Sequence, residues 1–148
     1  ILTNVMKREI LFAFILNVGE MRRRLDRCVH YANQRKQFGT NIGSFQSVSN
    51  RIAEMKIRYE LSQKWLYYVT SKLATNHDIT SDIAIAKIFV SEAAIATAID
   101  AMHIHGGQGI LAESGFGDEI SAAVAGPIYS GTNDIQRGRI AAMLGVVQ

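Results

Sequence analysis

Apolar residues along the chain recur at the spacing of long α-helices. In the clearest stretch they alternate three and four residues apart, with Ser62 as the one polar exception: Phe45, Val48, Ile52, Met55, Tyr59, Leu66, Val69 and Leu73. Because this spacing keeps one helix face apolar, it predicts a helix of about 30 residues packed along other helices. No segment alternates apolar and polar residues as a half-buried strand would.

Three further helices are predicted before and after this one. The first covers roughly residues 4–33 and is apolar nearly all round over residues 10–18, so its N-terminal half should be buried inside a larger assembly. Another should begin at residues 80–82, where several side chains could cap it, and end at Gly106. A last, short helix should begin near residues 132–134.

Glycine and proline separate the predicted helices. The 62 residues from Ser44 to His105 contain neither, whereas seven of the twelve glycines lie between Gly106 and Gly131. Since both residue types are disfavoured inside helices, the sequence predicts long helices, then an irregular glycine-rich connection, then the closing helix. The predicted fold is all-α, an up-and-down helical bundle of four to five helices.

Length and composition restrict the class of protein. With 148 residues, of which 48% are hydrophobic and 20% charged, the chain fits one globular domain and not a disordered segment. Its apolar runs are interrupted too often for a membrane span, and a single cysteine permits neither an intrachain disulfide nor a cysteine-based zinc site. No metal site is predicted. The chain begins Ile-Leu-Thr without Met, so we expect a piece of a longer protein.

Positive charge is concentrated in the first 58 residues, which carry eleven Lys and Arg against four acids, while residues 59–148 carry five against nine. A basic half could bind an anion: a cofactor phosphate, phosphopantetheine or nucleic acid. An equally good explanation is a solvated helix face made of Arg22, Arg23, Arg24 and Arg27. We expect no nucleic-acid partner, because no aromatic residue is interleaved with these arginines and no binding motif is present.

The first motif that could bind a ligand lies in the turn after the first helix. There Arg35 offers a planar fork for a phosphate or carboxylate, and Phe38 and Phe45 offer apolar surfaces. Gln46 can pair with a heteroaromatic edge. An arginine beside a helix C-terminus and two core phenylalanines would explain the same residues without a ligand.

Two more motifs contain glycines next to helix ends. Residues 103–109, His-Ile-His-Gly-Gly-Gln-Gly, could hold an anion or a flavin edge on exposed backbone N–H groups. Residues 128–137 place a loop before a helix N-terminus, which favours an anionic or carbonyl oxygen. A helix C-cap and an ordinary N-cap at Thr132 would also explain them. Ser130 lacks the Ser/His/Asp context of a nucleophile.

In this order the motifs resemble the C-terminal helical domain of the acyl-CoA dehydrogenase family. The resemblance covers about residues 9–144 and rests on Tyr31-Ala32-x-x-Arg35-x-Gln37-Phe38-Gly39, Phe45-Gln46, Ala86-Lys87 with Ser91-Glu92-Ala93, His105-Gly106-Gly107-x-Gly109, and Ile128-Tyr129-x-Gly131-Thr132-x-x-Ile135-Gln136-Arg137. It implies that residues 1–148 are the C-terminal FAD-binding and oligomerisation domain of a longer protein. An N-terminal helical domain and a middle β domain would precede it.

The resemblance implies FAD as the cofactor, bound between subunits. The implied cofactor contacts are Arg35, Gln37, Phe38, Phe45, Gln46, His103, Gly106, Gly107, Thr132 and Asp134. The implied contacts with the adenosine-pyrophosphate part of a neighbour's flavin are Arg35, Phe38, Phe45 and Gln46. His103 stands where the family usually has glutamine. The implied substrate contacts, next to the acyl thioester, are Tyr129 and Gly131.

The catalytic glutamate of the family is missing from its usual position. Most members have it directly before the Gly-Thr pair, where this chain has Ser130, and a serine hydroxyl cannot serve as the α-proton base near neutral pH without help. Some subfamilies carry the glutamate on the first long helix, and counting back from Arg35 without gaps gives Glu9, although the arginine that usually follows is isoleucine here. We expect its apolar neighbours to desolvate Glu9, but Lys7 and Arg8 beside it would also suit a solvated charge.

The first functional hypothesis is FAD-dependent α,β-dehydrogenation of an acyl-CoA or acyl-carrier-protein thioester. A carboxylate would remove the α-proton and the β-hydride would pass to the flavin. The second is a relative without the base that acts as a flavin-dependent reductase or monooxygenase, and the third is a non-catalytic helical oligomerisation module. Expected partners are the thioester, an electron acceptor and further copies in a homodimer or homotetramer, in the cytoplasm or the mitochondrial matrix.

Overall fold

The computed structural model describes residues 2–75 and 77–146. Within them six α-helices follow one another: α1 (Leu2–Gln34), α2 (Gln46–Ala74), α3 (Thr80–His105), α4 (Gly107–Ile110), α5 (Phe116–Val124) and α6 (Asn133–Met143). A two-residue hairpin joins α1 to α2, with β1 (Lys36–Gln37) antiparallel to β2 (Thr40–Asn41), and 3₁₀ turns cover Ile42–Ser44 and Ala112–Ser114. The predicted all-α bundle is confirmed.

The three long helices form the core. Each of α1, α2 and α3 contacts the other two, and α5 and α6 pack on α3. Most of the large, fully buried side chains are apolar, among them Phe14, Met21, Met55 and Val90. The stripe predicted on α2 is buried at Met55, Tyr59, Ser62, Leu66 and Val69.

α3 is the central helix because small residues allow its neighbours to approach closely. Ala86, Ala94 and Ala98 are buried under the surrounding helices, and helix-to-helix distance depends on the side chains at the contact. Its predicted bounds are correct. Its N-terminus, however, is satisfied by Asp78, whose carboxylate accepts the Thr80 N–H at 3.0 Å, and not by the side chains of residues 80–82.

The glycine-rich connection is more regular than the sequence predicted. It contains the one-turn helix α4 and the nine-residue helix α5, which buries Phe116 and Ala123. Gly115, with φ +73°, lies immediately before α5 and not inside it. The prediction of an irregular connection is wrong here. Residues 116, 120 and 123 have the spacing of one helix face, but the glycines around them obscure this pattern.

The N-terminal half of α1 has two different faces. Ile10 and Phe14 are buried against the bundle, whereas Phe12 and Leu16 are each 71% exposed. Only one face is therefore covered by the described residues, and burial of the other face in a larger assembly stays a prediction. None of the helices in residues 2–75 and 77–146 is long and apolar enough to cross a membrane.

Candidate functional site

Glu9 and Ser130 meet although 121 positions separate them along the chain. Ser130 Oγ donates a hydrogen bond of 2.8 Å to Glu9 Oε1, joining α1 to the loop between α5 and α6. The two alternative positions for a glutamate therefore face each other. Glu9 is exposed and Ser130 half-buried, so the expected desolvation of Glu9 by its neighbours does not occur within the described chain.

The backbone of this loop is left-handed at two successive residues. Ser130 has φ +55° and Gly131 has φ +83°, a conformation that strains a residue with a side chain. A Cβ at Gly131 would lie 3.0 Å from Gln136 Nε2, so glycine suits both the conformation and the space. The buried Gln136 donates from Nε2 to Ser130 O at 3.3 Å, which ties the strained residue to α6.

Tyr129 is fixed against α1 from two directions. Its ring stacks on Phe14 with the centroids 5.6 Å apart, and its hydroxyl accepts a hydrogen bond of 3.3 Å from Asn17 Nδ2. Both partners lie on the helix that carries Glu9. No motif in the sequence points to Asn17; its place as the one polar residue of the apolar run 10–18 is the signal that the sequence contains.

The loop ends at the N-terminus of α6. Thr132 is the N-cap, and its hydroxyl accepts the Ile135 N–H at 3.3 Å, so the predicted cap is confirmed. The Asp134 side chain is 94% exposed and lies 3.5 Å from Arg137. Of the two implied flavin contacts at this terminus, Asp134 is therefore on the surface, whereas Thr132 is half-buried.

Behind the loop, Lys87 of α3 is completely buried. Its Nζ donates to Gly126 O at 3.0 Å and to Asn133 Oδ1 at 2.7 Å. The Asn133 amide in turn donates to Ser91 Oγ and to Glu92 Oε1, each at 3.1 Å. Lys87 belongs to the Ala86-Lys87 motif of the family resemblance, which assigns it no role. A single lysine in the alanine-rich helix α3 is the signal in the sequence.

The environment of Lys87 disfavours its charged form. Burial lowers the pKa of Lys87 to about 8, repulsion from Arg137 adds to this effect, and attraction to Glu92 opposes it. Desolvation has this sign because a cation loses its hydration when it enters a protein interior.

The hairpin residues lie at the opposite end of α1. Arg35, Gln37 and Phe38 are exposed; Phe38, at 93% exposure, shares the two-residue turn with Gly39. Both turn residues have positive φ, +51° and +80°, as type I′ hairpin turns require. Phe38 meets Phe45 edge to face at 6.2 Å. The alternative that Phe38 is a core residue is therefore wrong, and Phe45 is only half-buried.

The glycine motif after α3 lies at this same end. Tyr31, near the end of α1, stacks on His105 with the centroids 4.2 Å apart. His103, Gly106 and Gly107 are exposed, and a Cβ on either glycine would meet nothing within 4 Å. Together with Gln46, exposed at the start of α2, these residues form an open surface of backbone and polar groups.

The arginine cluster on α1 is neutralised within the chain. Arg23, Arg24 and Arg27 all pair with Glu119 of α5, at 2.7 to 2.8 Å. Burial by itself would raise the pKa of Glu119, but hydrogen bonds from Arg24 and Arg23 outweigh it and hold that pKa below its usual value. The solvated-face explanation therefore holds for Arg22, which is 54% exposed and pairs with Asp26, but not for Arg24, which is only 3% exposed and links two helices.

The structure joins the predicted residues into two groups and keeps the groups apart. One group surrounds Glu9 and the 129–134 loop; the other comprises the hairpin and residues 103–107. At a rise of 1.5 Å per residue, the 22 positions from Glu9 to Tyr31 on α1 span about 33 Å. In residues 2–75 and 77–146 no cluster of three or more His, Cys, Asp or Glu could hold a metal ion.

Comparison with known proteins identifies this arrangement. The family model "Acyl-CoA dehydrogenase, C-terminal domain" matches residues 2–145. L-prolyl-[peptidyl-carrier protein] dehydrogenase from Serratia sp. is 41% identical over 131 residues, which make up 88% of this chain and 34% of that protein. Caffeyl-CoA reductase-Etf complex subunit CarC from Acetobacterium woodii is 30% identical over 128 residues, 86% of this chain and 34% of that protein.

A solved structure extends the similarity to three dimensions. PigA with FAD and proline superposes with a TM-score of 0.93 at 39% sequence identity, over 95% of this chain and 37% of that one. The chain thus spans about a third of the length of the relatives it matches. It belongs to the acyl-CoA dehydrogenase family and corresponds to the C-terminal domain of its members.

Proposed function

We propose that residues 1–148 are the C-terminal domain of a longer FAD-dependent dehydrogenase that acts on an acyl thioester, with Glu9 as the α-proton base. The observation that carries the proposal is the 2.8 Å hydrogen bond between Ser130 Oγ and Glu9 Oε1. It supports the proposal because a carboxylate lies beside the position where most family members have their glutamate. The loss of glutamate at position 130 is then compensated from α1.

In the proposed reaction, Glu9 takes the proton from the substrate α-carbon. Ser130 donates to Oε1, and among the described residues no side-chain hydrogen bond reaches Oε2, so that oxygen is available to the substrate. FAD, when bound, supplies the acceptor for the β-hydride. Tyr129 and Gly131 border the thioester, and the fixed ring of Tyr129 gives the acyl group a rigid wall.

The residues at the hairpin end fit a flat, anionic cofactor. Phe38 offers an exposed ring, Arg35 an exposed guanidinium, and Gly106–Gly107 an open backbone. The separation of about 33 Å along α1 supports a flavin shared between copies, because one end would contact the chain's own flavin and the other a neighbour's. A homodimer or homotetramer is therefore part of the proposal.

The substrate we favour is an amino acyl thioester of the prolyl type on a carrier protein. This is supported by the relative named L-prolyl-[peptidyl-carrier protein] dehydrogenase and by PigA, solved with FAD and proline. CarC, a subunit of a reductase-Etf complex, supports an electron-transfer flavoprotein as the electron acceptor. Its name also supports the reductase alternative, but its identity to this chain is 30%, against 41% for the prolyl dehydrogenase. A cytoplasmic location belongs to the proposal; a mitochondrial one does not, since the named relatives are bacterial.

The test is anaerobic mixing of the full-length protein with prolyl-carrier protein and, separately, with a short acyl-CoA. We expect the visible absorbance of the flavin to bleach faster with the prolyl substrate. Oxidation of the reduced flavin by an unsaturated thioester, without any bleaching by saturated ones, would favour the reductase. A full-length protein that holds no FAD would favour the oligomerisation module.

A further inference from the structure

Lys87 is a buried cation that the proposed mechanism leaves without a task. It is completely buried, and no carboxylate among the described residues forms an ion pair with it. Burial of a charge without a counter-charge is costly, so the contacts that Lys87 makes must compensate for it.

The two acceptors of Lys87 lie at the two ends of one segment. Gly126 O begins the segment that carries Tyr129, Ser130 and Gly131, and the Asn133 side chain ends it. The backbone closes the same segment independently, because the Asn133 N–H donates to Pro127 O at 2.9 Å. A single ammonium on the rigid helix α3 therefore holds both ends of the loop.

The start of the segment is packed directly on α3. A Cβ on Gly126 would lie 3.1 Å from Ala123 O and 3.2 Å from Ser91 Cβ, so only glycine brings this carbonyl close enough to the helix without displacing a neighbour. The close approach lets the Lys87 ammonium reach Gly126 O.

The end of the segment is oriented by the chemistry of lysine. An ammonium only donates, so the Asn133 amide must turn its oxygen towards Lys87 and its nitrogen away. The nitrogen then donates to Ser91 and Glu92, and Glu92 also pairs with Arg137 of α6. Every polar atom of the Asn133 side chain thus has a partner on α3.

We infer that Lys87 is a positioning residue, which fixes the Gly126–Asn133 segment to α3 and thereby holds Ser130 against the Glu9 carboxylate. The catalytic consequence rests on the proposed function. The fixing of the segment does not, and it is tested separately.

Hydrogen exchange of the full-length protein, followed by mass spectrometry, tests the fixing. Lys87→Met keeps most of the length of the side chain and removes its donors. We expect the hydrogen-bonded amides of Ile128, Tyr129 and Asn133 to exchange at least tenfold faster. Val69→Ala, which opens a cavity in the core between the long helices, is the control for general destabilisation and should leave this segment unchanged relative to its surroundings. Equal exchange in Lys87→Met and the parent, or acceleration spread evenly over α3, would overturn the inference.

A second variant decides the matter if Lys87→Met fails to fold. Asn133→Ala removes one acceptor and keeps the lysine, so it should accelerate exchange in the same peptides, and the double variant should add little to either single change. Unchanged exchange in Asn133→Ala would count against the inference.

The catalytic arm uses the rate of flavin reduction by thioester. We expect Lys87→Met to lower the rate at saturating substrate at least tenfold, with KM and FAD content near those of the parent. Val69→Ala, the control for general destabilisation, should reduce its flavin at the rate of the parent protein. If no thioester bleaches the flavin of the parent protein, the proposed function is wrong. The hydrogen-exchange data would still decide whether Lys87 fixes the segment.

Discussion

The two ends of α1 carry the two halves of the candidate site, and they are built differently. At the Glu9 end, Ser130 and Tyr129 are held by hydrogen bonds and stacking from α1 and α6. At the hairpin end, Arg35 and Phe38 project into solvent. Groups already fixed in place are preorganised for chemistry, whereas exposed arginine and aromatic side chains contribute most when a partner covers them. Under the proposed function, the chain therefore contains both side chains of the proton-transfer site, Glu9 and Ser130, but needs another molecule at the hairpin.

The largest expected effect falls on the Glu9 end. Glu9→Gln in the full-length protein keeps the shape of the side chain and its acceptor for Ser130 but cannot take a proton. Since a positioned general base contributes about 10²–10⁴-fold, the flavin-reduction rate should fall by that factor in stopped-flow measurements. Glu54→Gln, at an exposed acid on α2, is the matched control.

A compensating change sharpens the same prediction. Ser130→Glu in the Glu9→Gln background should restore part of the rate, because it returns a carboxylate to the facing position. An unchanged rate in Glu9→Gln alone would remove Glu9 from the mechanism.

The next effect falls on the hairpin end. If Arg35 pairs with a cofactor phosphate, Arg35→Ala should weaken FAD retention by about 1.5–3 kcal/mol, the scale of a charge-assisted hydrogen bond. The thermal midpoint without FAD should barely move, because an exposed arginine contributes little to stability. Lys36→Ala, at the neighbouring exposed cation, is the control in equilibrium dialysis; equal losses from both variants would indicate net charge alone and not the planar fork of Arg35.

The sequence predicted the long helices well because their burial is periodic. The stripe on α2 and the bounds of α3 depend on neighbours three and four positions apart, and such spacing is visible in one dimension. The hairpin and α5 were missed, since two-residue strands have no periodicity and the apolar positions of α5 lie among glycines.

The site was predictable only in its parts. The resemblance pointed to Glu9 and Ser130 separately. No spacing rule predicts that two side chains 121 positions apart in the sequence form a hydrogen bond. Asn17 and Lys87 were missed for the same reason, because each acts on a loop more than 35 positions away. Contacts between distant segments arise from packing, which a single sequence does not display.

A smaller effect separates the hydrogen bond of Ser130 from its backbone strain. Ser130→Ala removes the donor to Glu9 and should lower the flavin-reduction rate by a factor of about 3–10, as expected for one hydrogen bond of about 0.5–1.5 kcal/mol. Ser130→Gly should lose the same rate yet melt at a higher temperature than Ser130→Ala, because glycine tolerates a φ of +55°. Different rates in the two variants would assign the effect to the backbone instead.

The last effect is a dependence of stability on pH between about 8 and 10, which the Glu9 end should show and the hairpin should not. Burial lowers the pKa of Lys87 to about 8, against the ordinary lysine value of 10.5 expected in the unfolded chain. Between these values the unfolded state binds more protons than the folded state, so the contribution of Lys87 to stability rises with pH across that window. Below pH 8 both states are protonated and the cost of burying the charge is constant. One group changes the free energy of unfolding by at most about 1.4 kcal/mol per pH unit. Urea midpoints of the full-length protein should therefore rise between pH 8 and 10 relative to Lys87→Met, while the hairpin variant Lys36→Met follows the parent. Parallel curves for Lys87→Met and the parent would mean that the buried ammonium does not carry this cost.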